Sequence, residues 1–265
     1  MRRLLLIFLL STFLSPILAH EFWLNPDKYI YKRTEPINIR FLVGENFEGR
    51  NWKGNNARIQ SLKIYYGGVS DDLSPYLGYA AGDSLQLTMV DDGTCLIAFN
   101  TKNSFIELEP PKFNAYLLYE GLKNAVEYRN DHNETDSSGR EYYQRCAKAL
   151  IQVGDVKDRT FSIATGMPVD IIPLANPYQL SDNDSLTVRI LFQKQPLANS
   201  LVRVWNRDNG ITDQKDMMTD ENGEIVFPVS TNGKWMVSAI TMEKISDDSK
   251  AQWQSYWGTF TWGYE

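Results

Sequence analysis

Apolar and polar residues alternate along much of the chain with the period of two that is typical of half-buried β-strands. After residue 158 the alternating segments follow one another at about ten-residue spacing, and turn-rich stretches such as "DENGE" join them. The pattern therefore predicts short antiparallel strands in both halves of the chain. They cover residues 37–43, 62–66, 85–89, 95–99, 186–192, 200–205, 225–229, 235–241 and 256–262.

Two segments in the first half break this rhythm and predict helices. Asn114 can cap a first helix over residues 115–128. A second helix is predicted from Arg140 to Val153, with apolar side chains at helical spacing and Gly154 as its C-terminal stop. The polar stretch "NDHNETDSSG" between the two predicts an exposed loop.

These elements predict a mainly β protein of immunoglobulin-like or transthyretin-like antiparallel sandwiches, with two helices inserted in the N-terminal part. Apolar residues make up 43% of the 265 residues, which is enough to bury a core. We expect residues 1–19 to be a signal peptide and residues 20–158 to be an N-terminal β-rich domain that holds both helices. Residues 159–265 are expected to form a C-terminal immunoglobulin-like β-sandwich domain.

The first nineteen residues have the three-part pattern of a Sec-type secretory signal peptide. Arg2 and Arg3 precede an apolar run that ends at Leu14, and Ala19 offers a cleavage site. We therefore expect cleavage after Ala19 and a periplasmic or secreted protein, with a retained N-terminal anchor as the alternative. The run is short for a membrane span of about 20 residues, and no later stretch approaches that length, so no span is expected after cleavage.

The net charge bears on possible partners, and the two cysteines bear on a possible disulfide. Removing Arg2 and Arg3 with the signal peptide changes the formal net charge from −6 to −8. Such an acidic protein repels nucleic acid, so no nucleic-acid partner is expected. Cys95 and Cys146 can pair as a disulfide in an oxidising compartment or remain two buried thiols, and the sequence leaves both alternatives open.

Cleavage at the predicted site would make His20 the first residue, with a free amine and an imidazole that can chelate one metal ion. A second imidazole would complete a three-nitrogen arrangement suited to copper or nickel. His132 is the only other histidine, so it is the only candidate for that role. Glu21, Asp131 and Glu134 could supply carboxylate ligands. For each of these residues, a solvated role without a metal is the alternative.

Other kinds of site have little support in the sequence. It contains no nucleophile elbow, no glycine-rich nucleotide-binding or phosphate-binding loop, and no Cys-x-x-Cys pair. The aromatic tail "QSYWGTFTWGYE" allows two interpretations. We favour a final strand with one face in the core, and the alternative is a sugar-stacking surface that includes Trp257 and Trp262.

Five blocks of sequence follow one another in a specific order: "AHEFWL", "EPPKFNAYLLYEGL", "REYYQRCAKALIQVGD", "GMPVDIIPLANPYQL" and "LTVRILFQKQPLANSLVRVW". In this order they resemble the DUF4198 family of exported bacterial proteins. That family is related to the extracytoplasmic region of NikM-type nickel and cobalt uptake transporters. The resemblance covers nearly the whole mature chain, and it is carried by the combination of blocks rather than by any one of them.

The resemblance implies an exported, β-rich protein that handles a transition metal near the cell envelope. In the related transporters an N-terminal histidine and the terminal amine take part in nickel or cobalt binding, which corresponds here to His20 alone. Two positions depart from the family pattern. Cys146 stands where relatives often have an aromatic residue or histidine, and Asp170 stands where glutamate is common, which shortens a possible second carboxylate ligand.

We therefore expect a periplasmic protein that binds nickel, cobalt or copper through its mature N-terminal histidine and acts in metal uptake or buffering. A binding protein is expected rather than an enzyme, with the metal ion and an envelope metal transporter as its partners. Two alternatives stay open. One is a copper histidine-brace oxidative enzyme that uses His20 and His132, and the other is a non-catalytic β-sandwich for adhesion or glycan binding.

Overall fold

The computed structural model describes residues 21–54, 56–77 and 84–264, which form a mainly β structure with two α-helices, as predicted. The signal segment and His20 lie outside the described residues. The helices are α1 (Pro110–Tyr119) and α2 (Lys123–Asp131). The strands are β1 (Glu21–Pro26), β2 (Ile30–Tyr31), β3 (Pro36–Glu45), β4 (Glu48–Asn51), β5 (Ile59–Tyr66), β6 (Val69–Asp72), β7 (Ser84–Thr88), β8 (Gly93–Thr101), β9 (Ser104–Leu108), β10 (Gly139–Val153), β11 (Val169–Pro173), β12 (Ser185–Phe192), β13 (Gln195–Pro196), β14 (Leu201–Asp208), β15 (Ile211–Met218), β16 (Glu224–Pro228), β17 (Lys234–Lys244) and β18 (Trp253–Gly263).

The strands form three sheets. The middle sheet has ten strands in the order β15-β14-β17-β18-β10-β8-β5-β6, with β2 and β9 also paired to β10. The N-terminal outer sheet consists of β1, β3, β4 and β7, and the C-terminal outer sheet consists of β11, β12, β13 and β16. The pairing is antiparallel except where β10 meets β18 and β2. The predicted class of antiparallel sandwich is thus confirmed.

The two outer sheets cover opposite faces of the middle sheet, because successive side chains of a strand point to opposite sides. In β8, for example, Ile97 and Phe99 pack with residues of the N-terminal outer sheet. Leu96, between Cys95 and Ile97, packs instead with residues of the C-terminal outer sheet. The helices cover a further part of the first face, where they pack over β17 and β18. The core therefore has two layers, one on each side of the middle sheet.

The middle sheet contains strands from both sides of the predicted domain boundary near residue 158. Strand β10 runs parallel to β18, with Glu141 opposite Trp253 and Ala149 opposite Thr261. Local sequence pattern does not indicate this long-range pairing, since it joins segments that are more than a hundred residues apart. The boundary itself stays a prediction.

The predicted helix from Arg140 to Val153 is wrong, because this segment is strand β10. From Cys146 to Val153 every residue is buried, since the strand lies inside a sheet that is covered on both faces. Such a strand has a nearly continuous apolar sequence, which cannot be told from a buried helix by periodicity. Gly154 has a φ of +58° after the strand and ends no helix.

The first predicted helix is correct in place but not in its bounds. Its N-terminus is set by a proline pair at Pro110, whose missing N–H and fixed φ suit the first turn of a helix. Asn114 is therefore inside α1 and caps nothing. Gly121, with a φ of +66°, separates α1 from α2. Neither helix, nor any other helix in the described ranges, is long and apolar enough to cross a membrane.

Candidate functional site

Strand β1 begins at Glu21, and this carboxyl group is almost completely buried, with 4% of the residue exposed. Glu21 lies opposite Gly44 of β3, and its Oε1 accepts a hydrogen bond of 3.5 Å from the hydroxyl of Ser238 on β17. Burial, followed by repulsion from Glu120, raises the pKa of Glu21 to about 8. Glu21 therefore retains its proton at neutral pH unless a cation compensates its charge.

Glu120 is the second buried acid of this site and follows the last residue of α1. Its Oε2 accepts a hydrogen bond from the Arg203 guanidinium on β14, which also donates to the carbonyl oxygen of Tyr119. Burial raises the pKa of Glu120 to about 7, although the charge of Arg203 acts in the opposite direction. The other oxygen, Oε1, is buried and has no hydrogen-bond partner among the described residues.

Glu21, Glu120 and Arg203 together form a buried cluster of ionisable groups, which we call the acid cluster. A third carboxylate, Glu45 at the end of β3, adds to the negative potential at both acids. The acid cluster can exchange protons near neutral pH, and carboxylate oxygens can bind a cation. Within the described residues, however, no group of three His, Cys, Asp or Glu side chains is arranged to hold a metal ion. A metal at the acid cluster would need ligands from elsewhere.

The other predicted ligands lie at the end of α2. His132 is exposed, its ring stacks on the ring of Tyr128 at 3.9 Å, and its Nδ1 lies 2.8 Å from the Tyr128 carbonyl oxygen. Because a carbonyl group only accepts, Nδ1 is the donor in this contact, which leaves Nε2 as the ring nitrogen that a metal could approach. Asp131 is exposed, and Glu134 is half-buried. These three residues are near one another in sequence, and Glu134 Oε2 is buried without a hydrogen-bond partner among the described residues.

The structure does not bring the end of α2 to Glu21. Tyr128, which carries the stacked His132 ring, contacts Lys244 on β17, whereas Glu21 contacts Ser238 on the same strand. Six residues of a strand separate these two contact points, which corresponds to roughly 20 Å. His132, Asp131 and Glu134 are therefore remote from the acid cluster. His20, the central predicted ligand, lies outside the described residues.

Comparison with known proteins places the chain in a family. The family model described as "Domain of unknown function (DUF4198)" matches residues 17–243. The chain belongs to the DUF4198 family. No curated protein matches this DUF4198 chain.

Several solved structures show weak similarity to the DUF4198 chain. A DUF4785 family protein of Legionella pneumophila is 8% identical with a TM-score of 0.24, and the match covers 81% of this chain and 51% of that one. Latent PorU of Porphyromonas gingivalis is 12% identical with a TM-score of 0.20, covering 90% of this chain and 20% of the other. A bacterial ice-binding adhesin is 11% identical with a TM-score of 0.20, covering 93% and 64%. This chain thus spans about half or less of the length of the first two proteins, and TM-scores this low define neither its fold nor its function.

In this DUF4198 chain, Asp170 is not available as a second carboxylate ligand. Its Oδ1 forms a buried ion pair of 2.5 Å with the ammonium group of Lys148. Its Oδ2 accepts hydrogen bonds from the N–H and hydroxyl groups of Thr165 and from the N–H of Gly166. Asp170 therefore joins β11 and the preceding loop to β10, which is a structural role.

The two cysteines of the DUF4198 chain are free and buried. Cys95 packs with the core toward the N-terminal outer sheet, whereas Cys146 packs with Ala98 and Met167 in a separate cluster. Burial raises the pKa of both thiols to about 12, so neither is a reactive thiolate at neutral pH. Of the two alternatives left by the sequence, the structure has the free thiols.

Sequence reasoning missed a further buried acid, Glu141, because it placed this residue on a helix. Glu141 Oε1 accepts hydrogen bonds from the Ser255 hydroxyl at 2.9 Å and from the Tyr116 hydroxyl at 3.4 Å. Burial raises its pKa to about 8. The aromatic tail forms strand β18, in which Trp262 is fully buried and the half-buried Trp257 stacks on Tyr116. Trp262 therefore offers no sugar-stacking surface.

Proposed function

We propose that the mature protein binds a divalent transition-metal ion, nickel, cobalt or copper, through its N-terminal histidine, in the periplasm or outside the cell. In this proposal the signal peptide is removed after Ala19, so that His20 contributes its amine and imidazole nitrogens to one chelate ring. The protein acts in metal uptake or buffering and not as an enzyme.

The observation that carries the proposal is the acid cluster that begins one residue after His20. Glu21 and Glu120 are both buried, both have raised pKa values, and Glu120 Oε1 lacks a hydrogen-bond partner among the described residues. A bound cation would offset the cost of ionising these acids in a buried place. Two nitrogens from His20 and one or two carboxylate oxygens would make a mixed ligand set of the kind that divalent first-row metals accept.

Affinity should depend on pH for two reasons. The terminal amine, with an ordinary pKa of about 7.7 to 8, must lose its proton before it binds a metal. Glu21, with its pKa raised to about 8, must also ionise if it is a ligand. Metal binding should therefore release protons and strengthen as the pH rises from about 6 to about 8.

The resemblance to proteins related to NikM-type transporters supports a place in metal uptake. We propose an envelope metal transporter as the protein partner on that basis. Nitrogen ligands suit all three metals, and copper is favoured wherever it is available.

The test is a calorimetric titration of purified mature protein with nickel and with copper, beside a His20→Ala variant. This variant keeps the terminal amine but lacks the imidazole that closes the chelate ring. We expect at least about tenfold weaker binding in His20→Ala. A Glu21→Gln variant should also bind more weakly, and His132→Ala should bind like the parent.

Two results would contradict the proposal. One is an intact mass showing that the exported chain begins at a residue other than His20. The other is equal metal affinity in the parent and the His20→Ala variant. A loss of binding in His132→Ala, with an altered copper electron paramagnetic resonance spectrum, would favour the histidine-brace alternative instead.

A further inference from the structure

A cleft of about 760 Å³ opens between the β3–β4 hairpin and strand β10, beside the start of β1. Its size is within the range of small-molecule sites. Val43 and Gly44 of β3 line the cleft, and these residues pair with Phe22 and Glu21 of β1. The charged side chains that line it are Arg50, Lys53, Arg58, Arg145, Glu45 and Glu48.

Cationic side chains outnumber carboxylates in this cleft, although the whole chain carries a formal charge of −6. The carboxylate of Glu48 is already engaged by Arg207, at an N–O distance of 3.0 Å. Within the described residues, no ion pair joins Arg50, Lys53 or Arg58 to a carboxylate. The cleft therefore concentrates positive charge on an acidic protein, which attracts anions.

Arg145 is held in a defined position in the cleft. Its guanidinium group lies 5.5 Å from the ring centre of Phe22 and 5.4 Å from that of Tyr143, which are cation–π distances. Its backbone N–H donates to the hydroxyl of Thr101 at 3.0 Å. One cation is thus positioned by aromatic rings, while Arg50 and Arg58 are exposed and free to close on a ligand.

Apolar side chains form the rest of the wall. Trp52 lines the cleft, is 9% exposed, and packs by its edge against Phe22 and Phe99 at 5.6 Å and 5.5 Å between ring centres. Val43 and the Tyr143 ring extend this surface. Carbon skeletons gain free energy when they contact such a wall, whereas inorganic anions do not.

We propose that this cleft binds a small organic anion that carries at least two carboxylate or phosphate groups. Guanidinium groups bind both kinds of oxyanion with paired hydrogen bonds. Several cations around one cleft favour a ligand with more than one anionic group, and the aromatic wall favours one with a carbon skeleton. The proposal does not require a metal at the N-terminus, because the described cleft residues supply all of these contacts.

The test is a calorimetric titration of the mature, metal-stripped protein with citrate and with fructose 1,6-bisphosphate. Citrate carries carboxylate groups and fructose 1,6-bisphosphate carries phosphate groups, so the two probes distinguish these anions. Inorganic phosphate has the charge without a carbon skeleton, and glucose has a carbon skeleton without the charge. We expect at least one of the organic polyanions to bind, and to bind at least about tenfold more tightly than inorganic phosphate or glucose. Binding should weaken as ionic strength rises from about 0.05 M to about 0.5 M.

Variants of the same chain complete the test. In Arg50→Gln/Arg58→Gln we expect at least about tenfold weaker binding, because two exposed cations of the cleft are lost. Lys215→Gln/Lys123→Gln removes the same charge from β15 and α2 and should bind like the parent. The proposal is overturned if neither organic anion binds, if inorganic phosphate binds as tightly, or if both double variants lose the same affinity. Because the metal is absent throughout, failure here leaves the N-terminal proposal unaffected, and the reverse also holds.

Discussion

At the scale of single residues, the protein is distinguished by buried carboxyl groups. When they ionise, neighbouring cations and hydrogen-bond donors do not fully compensate their negative charge. Glu21, Glu120 and Glu141 have pKa values raised to about 8, 7 and 8, in each case chiefly by burial. The folded state therefore binds more protons than the unfolded chain between the ordinary carboxyl pKa and these values. By linkage, this part of the stability is present at low pH and is lost as the pH rises from about 4.5 to about 8.

Glu141→Gln should make the protein more stable at pH 8 and change little at pH 5. The amide resembles the protonated acid and can still accept a hydrogen bond from the Ser255 hydroxyl, but it has no charge to bury. We expect a gain on the order of 1–3 kcal/mol in the free energy of unfolding at pH 8. Urea denaturation of the parent and the variant at both pH values measures this difference.

Glu127→Gln is the matched control, because Glu127 is exposed on α2. It should leave the dependence of stability on pH as it is in the parent. If Glu141→Gln and the parent lose stability equally between pH 5 and pH 8, Glu141 is ionised in the folded protein and our account of it is wrong.

At the scale of secondary-structure elements, specific contacts fix how the layers meet. The Lys148–Asp170 ion pair joins β10 to β11, with side chains that are 1% and 3% exposed. Gly139 plays a steric role at the start of β10, where a Cβ atom would lie 2.0 Å from the Phe113 ring of α1. Both contacts tie an element to β10, which makes this strand the common support of the other layers.

Asp170→Ala should destabilise the protein by about 3–5 kcal/mol, because it leaves the Lys148 ammonium group buried without its partner. Replacing both residues, as Lys148→Met/Asp170→Ala, should recover a large part of that loss. Denaturant titration of the parent, the two single variants and the double variant gives the coupling free energy. Purely additive effects would contradict the ion pair as the cause.

Gly139→Ala should cost roughly 1–3 kcal/mol, because the new methyl group collides with the Phe113 ring and displaces α1. The variant Phe113→Leu removes the ring and makes room for the methyl group. We therefore expect the double variant to be less destabilised than the sum of the two single variants. Thermal unfolding of the parent, the two single variants and the double variant measures this difference. Strictly additive losses of stability would count against a steric origin.

The alternation of apolar and polar residues reveals a strand wherever one of its faces is more exposed than the other. Strands β3 and β12 alternate clearly and were predicted close to their observed bounds. Strand β10 was predicted as a helix because both of its faces are buried. The sequence favours Asn114 as a helix cap because local pattern cannot weigh it against the proline pair at Pro110. Both errors arise from tertiary context overriding a local signal.

The candidate site was less predictable than the fold. Glu21 was identified through its position after His20, but its burial against Ser238 depends on how β1 lies over β17. Glu120 and Arg203 meet across 83 positions of sequence, and no spacing rule indicates such a contact. The end of α2 was assigned to the same site because histidine is scarce in the sequence, and the structure places it elsewhere.

At the scale of the whole molecule, the middle sheet unites the chain. Its strand order places β10 between β18, which comes from the C-terminal end, and the earlier strands β8 and β9. Residues of both halves also share each core layer. The stability of the first half should therefore depend on the second.

A fragment of residues 20–158, produced alone, should fail to fold cooperatively. Without β18, residues 141–149 of β10 would lose their pairing partner and present an unpaired edge between two incompletely covered faces. Circular dichroism and urea denaturation of the fragment and of the full mature chain test this. A fragment that unfolds in a cooperative transition would instead establish an independent N-terminal domain.

The parallel pairing of β10 with β18 also sets the order of events when the chain is made. The middle sheet cannot close until Trp253 to Gly263 have left the ribosome, because these residues are the partner that β10 requires. Contacts across such a long stretch of chain slow folding. A polypeptide whose middle sheet stays open until β18 has emerged remains, up to that point, in a form that a secretion channel can thread, which suits the export that we propose for it.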